Sequence, residues 1–274
     1  PTTGQFTPHA AVELRWPLQR SDPGGVSHLL EPVAQFAWSE TSGNAVPNED
    51  SVLVEFDEGN LFSLSRYPGL DALEQGARAN LGLRYTRHDP DGWSLGLTVG
   101  RILRSEADPR FADGTGLSGD LSDWLVAGKL ELDDRLTLTN RALFDDGFDF
   151  SKNEARIAFD SSRATIATTY VWLEAVEAEN RPTDTHEIAL DGAYRFGRNW
   201  TGTFDGRYDL VTDQTARTGL GLEYQSECLT VDFSLSRRFT SSTNVSPSTD
   251  FGLQLSLAGF GSGRNAQAAK SCNG

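Results

Sequence analysis

Hydrophobic and polar positions alternate with a period of two along most of the chain. Trp93, Leu95, Leu97 and Val99 fall on one side, and Ser94, Gly96, Thr98 and Gly100 on the other. Successive side chains of a β-strand point to opposite faces, so this stretch predicts a strand with one apolar and one small, polar face. The same alternation sets Ala79, Leu81, Leu83 and Tyr85 against Arg78, Asn80, Gly82 and Arg84. Later it sets Ile188, Leu190, Gly192 and Tyr194 against Glu187, Ala189, Asp191 and Ala193, and Leu229, Val231, Phe233 and Leu235 against Thr230, Asp232, Ser234 and Ser236. A final run sets Phe251, Leu253, Leu255 and Leu257 against Gly252, Gln254 and Ser256. No segment carries a helical period. The pattern predicts roughly thirteen strands of 10 to 13 residues, longer than the strands of soluble sheets.

The connections also alternate. Short ones are expected at 88–91, 133–134, 160–162, 197–199 and 225–227, and longer ones at 41–76, 104–120, 145–152, 175–184, 211–215 and 240–249. Tight turns at one end and long loops at the other are the layout of an outer-membrane barrel, with turns periplasmic and loops extracellular. An eleven-residue strand tilted by about 40° spans roughly 27 Å, close to the apolar band of such barrels. Counting strands up and down, Trp16, Trp93 and Trp200 fall at the turn end, and Trp38, Trp124 and Trp172 at the loop end. Two interfacial belts require this placement, because indole is apolar with one N–H that seeks water. A soluble sandwich would bury some Trp in mid-strand. The expected fold is all-β: an antiparallel transmembrane β-barrel portion, about 12–14 strands of a larger barrel, with long extracellular loops. Residues 1–261 would form this C-terminal part of the barrel, and 262–274 a periplasmic tail without regular structure.

Composition narrows the function. A net charge of −15 argues against a nucleic-acid partner, which needs a basic stripe. No run of apolar residues is long enough for a membrane-spanning helix, which leaves strands as the only route across a bilayer. The chain starts at Pro1 and holds no Met, as expected of a processed chain or a piece of a longer one. Its two cysteines, Cys228 and Cys272, form no zinc-type spacing. Four histidines are present without a G-x-S-x-G element, and no Gly-rich phosphate loop occurs. No enzymatic activity, cofactor or metal is expected. The polar face carries both signs of charge, including Arg78, Arg84, Asp191, Asp205, Arg207, Arg217, Glu223 and Asp232, as suits a lumen filled by water, a plug or a polar headgroup.

One region is more specific. LLEPVAQFAW is followed by NEDSVLVEFDEGNLFSLSRYPGLDALEQGARANLGLRY. Glu31 and Pro32, then Asp50 and Ser51, Leu61 and Phe62, Arg66, and Gly69, Leu70 and Asp71 carry a resemblance to the C-terminal barrel region of LptD, the lipopolysaccharide-assembly (organic solvent tolerance) family. EYQSECLTVDFSLSRRF and FGLQLSLAGFG resemble the family's last strands, and the likeness runs from about Pro8 to Gly261. It implies an outer-membrane translocon that assembles lipopolysaccharide into the outer leaflet without covalent chemistry. It implies a plug lipoprotein of the LptE type in the lumen. A periplasmic bridge protein of the LptA type would act through an N-terminal domain upstream of this chain. The lipid exit would be a lateral seam, with the strand holding Phe251, Gly252, Leu253, Gln254, Leu255, Ser256 and Leu257 as one lip. The apolar loop 41–76 would fold over or into the extracellular mouth. The family also implies a periplasmic disulfide. Cys228 would pair with the upstream domain, the expected case, or with Cys272 in the tail. Two other classes are a porin-like diffusion channel, distinguishable by open conductance, and a soluble all-β binding module, distinguishable by folding without detergent.

Overall fold

The computed structural model describes residues 4–43, 54–69, 72–179, 181–240 and 246–257. Sixteen strands account for nearly all regular structure: β1 Gln5–Phe6, β2 His9–Arg15, β3 Leu18–Ser21, β4 Ser27–Ser39, β5 Ser42–Gly43, β6 Gly76–Asp89, β7 Trp93–Arg104, β8 Trp124–Leu132, β9 Leu136–Phe144, β10 Phe150–Asp160, β11 Ala164–Leu173, β12 Thr185–Arg195, β13 Trp200–Asp209, β14 Gln214–Gln225, β15 Leu229–Arg238 and β16 Ser248–Leu257. Single 3₁₀ turns lie at Asp113–Thr115 and Glu177–Glu179. From β2 to β16 thirteen strands follow one another in sheet order, and β3 is an additional partner of β4. The fold is all-β, as the alternation predicts.

Consecutive strands pair antiparallel, for example over Gly76–Asp89 with Trp93–Arg104. Tight connections join them at one end: 90–92, 133–135, 161–163, 196–199 and 226–228. Asp133 and Asp134 both have positive φ, 50° and 54°. This is the backbone of the primed hairpin turns whose twist matches the strands. At the other end lie 44–75, 105–123, 145–149, 174–184, 210–213 and 239–247. Two expected long loops are therefore short. Phe150, Ser151 and Lys152 of the expected 145–152 loop belong to β10, and Gln214 and Thr215 of the expected 211–215 loop belong to β14. All six Trp residues occupy the expected ends: Trp93, Trp124 and Trp200 open their strands, Trp38 and Trp172 are penultimate, and Trp16 directly follows β2.

The chain divides into two units, residues 1–156 with 171–185, and residues 157–170 with 186–274. In the first, β4 shows the two-faced construction most sharply. Ala34, Phe36 and Trp38 are exposed, while Val33, Gln35, Ala37 and Ser39 are buried. A core forms on the inner side at the loop end, from Val54, Phe56, Leu61, Tyr67, Ala72, Phe111 and Leu117 of the loops against Ile102, Leu125 and Leu143 of β7, β8 and β9. In the second unit, Ala167 is the only buried apolar residue among those described. Leu190, Tyr194, Phe196, Trp200, Leu220, Leu222, Phe233, Phe251, Leu253, Leu255 and Leu257 are all exposed. A soluble protein does not leave so continuous an apolar face in water, whereas hydrocarbon accepts it, and the strands between the two sheet ends are paired on both sides as a membrane requires. The sheet is a portion of a transmembrane β-barrel wall.

Candidate functional site: a plugged lumenal wall and a terminal edge

The inner face of β6 and β7 carries a pair of glycines, Gly82 and Gly100, directly opposite each other. Loop 54–75 fills the space they leave. A Cβ on Gly82 would sit 2.7 Å from Phe62 Cζ and 3.1 Å from Leu61 Cδ2; one on Gly100 would overlap Leu61 Cδ2 and lie 2.8 Å from the Leu81 carbonyl oxygen. Leu61, fully buried, and the half-buried Phe62 are thus a knob in a glycine socket. A turn holds the knob in shape: the Asp57 carboxylate accepts from the backbone N–H groups of Gly59 and Asn60, and Asn60 Nδ2 donates to the Glu55 carbonyl. The wall grips the loop backbone as well. Gln35 Nε2 donates to the Phe62 carbonyl at 3.0 Å and to Glu13 at 2.9 Å, and Asn80 Nδ2 donates to Gln35 Oε1 at 2.7 Å.

Above the knob sits a buried charged hub. Glu74 accepts from the Arg66 backbone N–H at 2.9 Å and from Arg66 Nη1 at 2.7 Å. Its other oxygen lies 3.5 Å from Arg104 Nη2 and 3.9 Å from Arg78 Nε, and all four side chains are at most 3% exposed. Arg78 and Arg104 stand opposite each other across β6 and β7. Like charges so placed repel, and Glu74 between them turns the repulsion into attraction for the loop. Arg66 Nη2 donates to the Leu61 carbonyl, Arg104 Nη1 to the Leu117 carbonyl and Arg78 Nη2 to the Leu64 carbonyl. The hub therefore ties loops 54–75 and 105–123 to the wall. A stack extends it: Tyr67 lies flat on Phe111 at 4.7 Å, with Arg110 over the Tyr67 ring and Arg104 over the Phe111 ring. Burial, with the Asp108 carboxylate nearby, pushes the Tyr67 phenol well above its ordinary value. Burial works against the Asp108 charge, but hydrogen bonds from the Arg110 side chain and backbone outweigh it and hold that carboxyl low.

At its inner tip the loop pairs with β9. Arg141 Nε and Nη2 donate to the two Glu58 oxygens at 2.7 and 2.9 Å. That hydrogen bonding holds the Glu58 carboxyl below the usual range. Beside this pair the wall forms an open pocket of about 250 Å³, lined by Glu58 and Arg141 themselves with Arg84, Thr98, Lys129 and Thr139 among others. Where the loops cover it, the inner wall thus sets the apolar Ile102, Leu125 and Leu143 beside the buried Gln35, Asn80, Arg78 and Arg104, whereas the alternation pattern predicts a polar face throughout.

The sheet ends at β16. Ten residues, Ser248–Leu257, pair with β15, and β16 has no second neighbour among the described residues. Phe251 and Leu253 are 73% and 77% exposed on the outer face, and Leu255 and Leu257 follow. Gly252, Gln254 and Ser256 occupy the opposite face, across from Ser234, Asp232 and Thr230.

The motif residues separate into distinct places. Glu31 lies on the inner face of β4, 3.6 Å from Arg15 and 4.0 Å from Arg84. Pro32 is on the outer face opposite Leu83, and its missing N–H is tolerated where the ladder breaks at Trp16 and Pro17, between β2 and β3. Leu61, Phe62 and Arg66 converge in the knob and hub; Gly69 lies in the same loop. Asp50, Ser51, Leu70, Asp71 and Cys272 lie outside the described residues. Cys228 is in the 226–228 turn. Glu74, Arg104, Glu58 and Arg141 escape a reading by alternation, because their partners come from other elements. The facing pair Arg78 and Arg104, at the loop ends of two successive strands, is the signal that could have revealed the hub.

The family described as LptD, LPS transport system D, matches residues 2–200. An LPS-assembly protein LptD from Vibrio vulnificus is 22% identical over 89% of this chain and 34% of its own length. One from Coxiella burnetii is 24% identical over 78% of this chain and 28% of its own. Among solved structures, a triple mutant of the Rhodopseudomonas blastica porin aligns over 89% of both chains, at 14% identity and a TM-score of 0.36. The chain spans about a third of the length of the curated relatives it matches. With most of its length matched by that one family, the chain belongs to LptD, the LPS transport system D family.

Proposed function

We propose that this chain is the C-terminal part of the barrel of an outer-membrane translocon that places lipopolysaccharide in the outer leaflet, without enzymatic chemistry. The observation that carries this reading is β16. Its one-sided pairing leaves a backbone edge available to an upstream strand, with lipid-facing leucines on one side and small polar side chains on the other. Such a seam suits an amphiphile, because acyl chains can enter hydrocarbon while sugars stay in the polar lumen. In this reading the tight turns face the periplasm and the long loops face outward. A plug lipoprotein of the LptE type occupies the polar lumen below the loops. A bridge protein of the LptA type delivers substrate through the upstream periplasmic domain, and Cys228 forms a disulfide in that oxidising compartment. Filling of the inner wall by Leu61 and Phe62 favours this reading over an open diffusion channel.

The test uses the full-length protein in a strain depleted of its own copy. Gln254→Trp with Ser256→Trp, which crowds the lumenal lip, is expected to abolish surface lipopolysaccharide, while the outer-face change Leu255→Trp leaves it intact. Normal surface lipopolysaccharide in the first variant, confirmed as folded by its heat-modifiable mobility, would contradict the proposal.

A further inference from the structure

The structure assigns a second ligand surface, distinct from the plugged lumen. We infer that Arg163, Arg195 and Arg198 form a docking site for the phosphate headgroup of an anionic phospholipid at the turn end of the wall. All three arginines line one open concavity of about 640 Å³, completed by Ser162, Tyr194, Phe196 and Gly197. The backbone fixes their proximity: the Arg195 N–H donates to the Arg163 carbonyl at 2.7 Å, and Arg198 lies in the 196–199 turn that follows β12.

Three features point to a lipid phosphate. The first is charge. Acidic residues outnumber basic ones by 39 to 24 in this chain, yet no carboxylate lines the concavity. Every other arginine cluster described above has a carboxylate partner, whereas these three are exposed and make no ion pair among the described residues. Guanidinium forks match phosphate oxygens in geometry and charge. The second is depth. Phe196 stacks on Trp200 with ring centroids 6.5 Å apart, and Tyr224 packs 4.9 Å from Trp200. Such an aromatic belt marks the level at which headgroups lie. The third is continuity: Tyr194 and Phe196 stand at the end of the exposed apolar face that includes Leu190, and Arg195, although of the opposite parity, is the last residue of β12, so a headgroup whose acyl chains lie along that face meets the arginines where the strand ends. Because the turn end is read above as periplasmic, the ligand is assigned to the inner leaflet; that leaflet assignment rests on the proposed function, and the site chemistry does not.

The experiment measures lipid retention on the purified full-length protein by native mass spectrometry from micelles holding equal phosphatidylglycerol and phosphatidylcholine. The wild type should keep phosphatidylglycerol preferentially. The R163Q/R195Q/R198Q variant should lose that preference by about fivefold or more, and R163K/R195K/R198K should keep most of it. Heat-modifiable mobility reports folding of each variant. An unchanged preference in the glutamine variant would overturn the proposal. So would complete displacement of the lipid by millimolar inorganic phosphate, which would mark a free-anion site. Lipopolysaccharide transport is not read in this experiment, so its outcome stands apart from the translocon proposal.

Discussion

Gly82→Ala tests whether the loop knob is held by shape. The new methyl group would meet Phe62 Cζ at 2.7 Å and Leu61 Cδ2 at 3.1 Å. Ordinary carbon contacts are close to 3.5–4.0 Å, so the Phe62 ring must withdraw by roughly 1 Å. Overpacking of this kind costs about 1–3 kcal/mol, and it falls on the loop, because the obstructing atoms are the free ends of loop side chains. Cleavage of a transiently open segment follows its open population, so trypsin should cut at Arg66 about five- to a hundredfold faster in outer-membrane vesicles carrying the full-length variant. Phe62→Leu removes the obstructing ring end, and the double variant Gly82→Ala with Phe62→Leu should recover most of the protection. Gly100→Ala should be rescued less well by Leu61→Ala, because the Leu81 carbonyl oxygen, a backbone atom, also lies 2.8 Å from the new methyl. Equal cleavage of wild type and Gly82→Ala would refute the reasoning, as would a double variant cut as fast as the two single effects multiplied.

Glu74→Gln leaves three buried guanidiniums around a neutral amide, and breaking a buried pair this way costs about 3–5 kcal/mol; protease release of both loops 54–75 and 105–123 should follow, and protection of either would contradict the hub. Arg141→Gln removes a half-exposed pair and should cost no more than about 1 kcal/mol, read as a small rise in the same cleavage rate. The Glu58 carboxyl is held low in the folded state, so its contribution is present above the ordinary Glu range and is lost as pH falls through the folded value. Acidification should therefore loosen the wild-type loop tip more than that of Glu58→Gln. The Tyr67 phenol is pushed up, so alkaline conditions weaken the folded state once the unfolded phenol ionises near pH 10. Tyr67→Phe should remove that component of alkaline loosening. A peptide map without reductant should find Cys228 oxidised, and a free thiol there would contradict the periplasmic placement of the 226–228 turn.

Strand existence, facing and Trp placement were legible because a two-faced wall between lipid and lumen imposes the alternation one residue at a time. Leu97 and Val99 point outward and Gly100 inward for reasons contained within one strand. The loops were less legible. Ser151 and Lys152 look like the end of a solvated connection, yet they lie in β10. Loop 54–75 could be expected to enter the mouth from Leu61 and Phe62, but its seat depends on Gly82 and Gly100, brought together only by register. The hub is hidden for the same reason: Glu74 is unremarkable until folding places it among Arg66, Arg78 and Arg104. Ile102, Leu125 and Leu143 continue the inward register as apolar residues because loops, rather than water, cover them.

The translocon reading is tested most directly by a photo-crosslinking amino acid placed in β16 of the full-length protein in growing cells. At Gln254 and Ser256, on the lumenal lip, it should capture lipopolysaccharide, and capture should cease when substrate supply is blocked. Equal capture at outward Leu253, or none at Gln254 and Ser256 while surface lipopolysaccharide continues to appear, would contradict it.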